Sequence, residues 1–93
     1  MGMDLDALLH HYFGTTELDD LDEAAIDTGR ERLSIDFGIE RESGRRFAMW
    51  ALLHALGHAP DPARAFKDPR ERSAAETYAR AAALAAKSEE DWA

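Results

Sequence analysis

Cysteine is absent from the chain, and with it go disulfide bridges, zinc-thiolate and iron-sulfur sites and thiol nucleophiles. Nothing therefore asks for an oxidising compartment, and the cytoplasm is the expected location. Also missing is any apolar run near the roughly 20 residues of a bilayer span. Met1 to Leu9 carries Asp4 and Asp6 where an export signal would place basic residues before an apolar stretch. Neither export nor membrane insertion is expected. Lysine is scarce, two against nine arginines, while alanine supplies 18 residues; the bias suggests a GC-rich bacterial genome.

Signatures of chemistry are missing as well. No glycine-flanked nucleophilic serine, no glycine loop before a Lys-Ser/Thr pair and no Glu-x-x-His ligand set occurs. A reaction needs a positioned pair of groups, and none is spelled out. The expectation is a protein without catalytic activity and without a cofactor.

Apolar residues make up 45% of the 93-residue chain and charged residues 32%, a balance that folds instead of remaining disordered. A chain of this length supports one core and not two. The expected architecture is all-α, a small bundle of four to five helices around a central apolar helix at about 44–57. It forms a single helical domain over residues 1–93, with a short acidic C-terminal tail from about 88. The formal charge of −8 is uneven: residues 1–40 carry 11 acidic and 2 basic side chains, and residues 41–93 carry 8 acidic and 9 basic. Packing of the acidic part beside the arginine-bearing part accounts for that asymmetry most simply.

Leu5, Leu8, Leu9 and Tyr12 recur at helical spacing, with Asp4 placed to cap and Gly14 to stop the helix. Asp20 and Glu23 have the spacing of a capping box, which predicts a second helix from about Leu21. Leu33, Ile35, Phe37 and Ile39 alternate as a strand would. Helix is preferred, because a lone strand leaves its backbone groups unpaired, and Gly38 is the natural stop. From about Gly44 to Leu56 the chain is apolar on nearly every side, as the buried centre of a domain must be, with Gly57 and Pro60 at its end. Asp61-Pro62 and Asp68-Pro69 each pair a capping aspartate with a proline at the first helical position. They introduce a short turn carrying Phe66 and a long last helix, along which Ala74, Ala75, Tyr78, Ala81, Ala82 and Ala85 form a stripe of small residues around one tyrosine.

Four sets of residues are weighed for function. Phe47, Trp50 and His54 share one side of the central helix and, with Trp92 of the tail, form the expected interaction face for a protein partner, the simplest being a second copy in a homodimer. Arg41, Arg45, Arg46, Arg64, Arg70 and Arg72 lie in a stretch, residues 41–87, with nine basic and five acidic side chains, and give a second reading as an accessory regulator touching nucleic acid. The alanine-rich last helix and the overall negative charge weigh against nucleic acid as partner. His54 and His58 stand four apart, as two ligands on one helix do, but Ala55 occupies the place of the glutamate base in the zinc-protease pattern and Gly57 interrupts the helix, so no metal is assigned. The acidic group Glu17, Asp19, Asp20, Asp22, Glu23 and Asp27 lacks the glycine at the sixth position that a calcium loop requires, Ala25 standing there instead.

Overall fold

In the computed structural model, residues 5–90 are described, with side chains to residue 87. The described chain is all-α: five α-helices, one 3-10 turn and no strand. It divides into two compact units, Met1–Ala59 and Pro60–Ala93.

The first unit packs α1 (Leu5–Phe13), α2 (Glu23–Ile39) and α3 (Ser43–Ala55) against one another. Gly14 takes φ +75° and ends α1, the left-handed conformation that a side chain would strain. The helix expected from about Leu21 starts at Glu23, and its cap is Asp22, which accepts from the Ala25 amide at 2.8 Å. Asp20 is not the cap because Leu18–Asp20 closes into a 3-10 turn and leaves Leu21 extended. The later start sets Leu21 and Ile26 at the two positions of a hydrophobic staple, just before the cap and one turn inside.

α2 then continues through the region where strand and helix compete, and also through Gly38, the expected stop. Gly38 keeps helical φ, and the chain leaves the helix at Glu40, whose amide bonds the Asp36 carbonyl at 3.0 Å. The turn into α3 decides this end: Glu40 pairs with Arg45 at 2.8 Å, and Glu42 caps α3 by accepting from the Gly44 and Arg45 amides. Two carboxylates thus offset the arginines that begin α3, where the helix dipole alone disfavours cations. The Arg46 guanidinium lies over the Phe37 ring, 4.2 Å from its centre.

α3 is the central apolar helix that its composition predicts. Met49, Trp50, Ala51, Leu52 and Leu53 are all buried, and five consecutive residues at about 100° each go round every side. Leu8, Tyr12, Leu33 and Phe37 complete the buried hydrophobic set of this unit among the described residues. Gly29 of α2 is buried where α1 ends: a Cβ there would strike the Phe13 ring and lie 2.8 Å from the Tyr12 carbonyl oxygen.

In the second unit Asp61 caps α4 (Pro62–Ala65), and Asp68 accepts from the Arg70 amide at 2.9 Å at the start of α5 (Pro69–Glu90). Ala65, Phe66 and Ala75 are buried there. The predicted small-residue stripe straddles the edge of the covered side of α5, with Ala75 and Ala82 on that side and the other four residues off it. Ala74, Tyr78, Ala81 and Ala85 are exposed, whereas Arg72, Ala75, Ala79 and Ala82 are buried or half-buried. Arg72 fixes that rotation by donating to the Phe66 carbonyl at 3.3 Å. α5 runs to Glu90, past Ser88 where the acidic tail was expected to begin. No described helix is long and apolar enough to cross a membrane.

Candidate functional site

Phe47, Trp50 and His54, the residues expected to share one side of α3, lie together as neighbouring rings. Phe47 and Trp50 have ring centroids 6.0 Å apart, and Trp50 and His54 5.3 Å. The centre of this group does not reach the surface, since Trp50 is 0% exposed while Phe47 and His54 are half-buried. Trp50 is core, and Trp92 lies outside the described residues, as does Asp4. A face that keeps its largest ring inside offers a partner only the edges of Phe47 and His54.

Half of the six arginines are engaged in holding the fold. Arg45 pairs with Glu40, Arg46 covers Phe37, and Arg72 donates to Phe66. Arg41, Arg64 and Arg70 are exposed; the first belongs to one unit and the other two to the other.

His54 and His58 do not share a helix. α3 ends at Ala55, Gly57 turns the chain at φ +80°, and the His58 amide bonds back to the Leu53 carbonyl at 3.0 Å, a left-handed glycine cap. Among the described residues no three His, Asp or Glu side chains converge as a metal site would need. In the acidic group, Asp22 is used as a cap and Asp27 pairs with Arg30 at 3.3 Å.

A long-range polar contact of the first unit is a clamp joining α1 to α2. The Tyr12 hydroxyl on α1 donates to Asp36 Oδ2 on α2 at 2.6 Å, and Arg45 of α3 acts on the same phenol electrostatically. Burial, and then the donated bond to Asp36, push the Tyr12 pKa up from 10.0 to about 12. A phenol held so firmly protonated is suited to bracing helices and not to giving up its proton in a reaction. Beside it, the amides of Arg45 and Gly44 bonded to Glu42 hold that carboxyl below its ordinary 4.5.

One surface escaped the sequence reading. On α2, Leu33 and Phe37 are buried, but Ile35 and Ile39 are 62% and 75% exposed. At helical periodicity they share the outer side of α2 with Ala24, Thr28, Glu31, Arg32 and Gly38, all exposed. The signal was in the alternation itself: residues two apart in a helix lie on nearly opposite sides, so apolar residues at 33, 35, 37 and 39 must supply two faces once the segment is helical. Comparison of the chain with protein-family models, with curated proteins and with solved structures finds no match in any of the three.

Proposed function

We propose that this protein is a non-catalytic helical module that works by binding another protein, and that the surface it uses is the outer face of α2. The observation that carries the reading is the exposure of Ile35 and Ile39, 62% and 75%, on a helix whose opposite side is anchored in the core by Leu33 and Phe37. Two β-branched aliphatic side chains one turn apart on a firmly held helix are the kind of anchor a partner covers. The Tyr12–Asp36 bond and the Glu40–Arg45 pair support it, since they brace the helix that presents the face.

A photoreactive amino acid placed at Ile35 or Ile39, and at exposed His10 as control, tests this in the native host. The expected result is discrete protein adducts from positions 35 and 39 and not from 10. Equal labelling from all three positions, or none from the α2 sites, overturns the reading.

A further inference from the structure

We infer that the partner of this face is a second copy of the same chain, paired through α2 about a twofold axis running along the helix. The inference rests on the reading of α2's outer face as a binding surface and adds its occupant. At about 100° per residue, Ile35 marks the middle of the face. Glu31 and Gly38 then fall on one shoulder and Arg32 and Ile39 on the other, each within about 60° of the middle. All five are exposed.

A twofold parallel to the helix lays the first shoulder of one copy against the second shoulder of the other, as an isologous contact requires. Glu31 then meets Arg32 of the second copy, and the converse pair forms on the far side. Ile39 meets Gly38 of the second copy in the same reciprocal way, and the two Ile35 side chains meet on the axis. Gly38 makes the fit close, because space for a Cβ there is open, with nothing within 4 Å. Glu31 and Arg32 carry no other ion pair among the described residues. Further along the same face Thr28 already spends its hydroxyl on the Ala24 carbonyl, at 2.9 Å, so covering it strands no donor. A foreign partner would need no such reciprocity of charge and of large against small. A second copy needs all of it.

The contact spans little more than two helical turns, which puts it with weak, transient interfaces below about 1,200 Å² of total buried area and dissociation constants of about 10 to 500 μM. Sedimentation velocity from low micromolar to about 1 mM protein should show a reversible monomer–dimer equilibrium. E31R and R32E each gather four like charges at the axis and should each weaken self-association about tenfold. An equimolar mixture of the two variants should dimerise at least as well as wild type, and I35E should remain monomeric. These positions are exposed, so circular dichroism should report folded chains throughout. A wild type that stays monomeric at 1 mM, or a mixture no better than its components, overturns self-pairing. If wild type is monomeric while the photoreactive Ile35 position captures a protein of different mass, the binding face stands and only its occupant is wrong. If neither occurs, both fail.

Discussion

The Tyr12 hydroxyl reaches Asp36 Oδ2 at 2.6 Å across 24 residues of sequence, and this one bond ties the end of α1 to the last turn of α2. Its loss is felt in two ways. Tyr12→Phe removes a hydrogen bond to a carboxylate that stays where it is, an expected cost of about 1 to 3 kcal/mol in urea unfolding at neutral pH. It also removes an alkaline dependence. The folded pKa of about 12 lies above the ordinary 10.0, so the stabilisation is complete below pH 10 and is lost as pH rises through about 12. In a Y78F background Tyr12 is the sole tyrosine, and its phenolate absorbance should appear near pH 12; titration near 10 in the folded protein would contradict the clamp.

Glu42 works in the opposite sense. Its pKa is held below 4.5 by the amides it caps, so its contribution is complete above that value and is lost as pH falls through the lower folded pKa. Glu42→Gln should flatten the acid limb of the thermal unfolding curve between neutral and strongly acidic pH. An acid limb identical to wild type would remove Glu42 from the account of α3's start.

Two glycines of α2 should respond with opposite sign. Gly29→Ala drives a methyl into the Phe13 ring and the Tyr12 carbonyl, and overpacking of this kind costs about 1 to 3 kcal/mol. Gly38→Ala meets nothing within 4 Å in a helical backbone and should stabilise by about 0.5 to 1 kcal/mol through the unfolded chain. Denaturation at low protein concentration compares them directly, and equal effects would mean that α1 does not approach α2 at Gly29.

Alanine substitution along residues 33–39 distinguishes the two faces. Leu33→Ala and Phe37→Ala open cavities at residues 0% and 6% exposed and should cost about 2 to 5 kcal/mol. Ile35→Ala and Ile39→Ala should fall within about 0.5 kcal/mol of wild type for the monomer, as surface changes do. Four comparable losses would instead describe a segment buried on both sides.

Much of the local structure was legible in the residues, because caps and stops are short-range chemistry. Gly14 and Gly57 end their helices in the left-handed conformation, Asp61 caps α4, Asp68 bonds the first turn of α5, and the run Met49 to Leu53 can only be a core helix. Where several residues offered the same local chemistry, the sequence alone could not choose. Asp20 and Asp22 are both fit caps, and α2 starts at the second because Asp20 is taken up in the 3-10 turn Leu18–Asp20. Gly38 permits a stop without compelling one, and the Glu40–Arg45 pair puts the end two residues later. Which way a face points is long-range by nature. Trp50 passes from a surface to the core, the small-residue stripe of α5 is split with Ala75 buried and Ala74, Tyr78, Ala81 and Ala85 exposed, and Ile35 and Ile39 are left at the surface, because Leu33 and Phe37 take the core side of α2. Composition set the helices and their ends; packing of α1, α2 and α3, which no segment carries by itself, decided which apolar side chains remain to meet a partner.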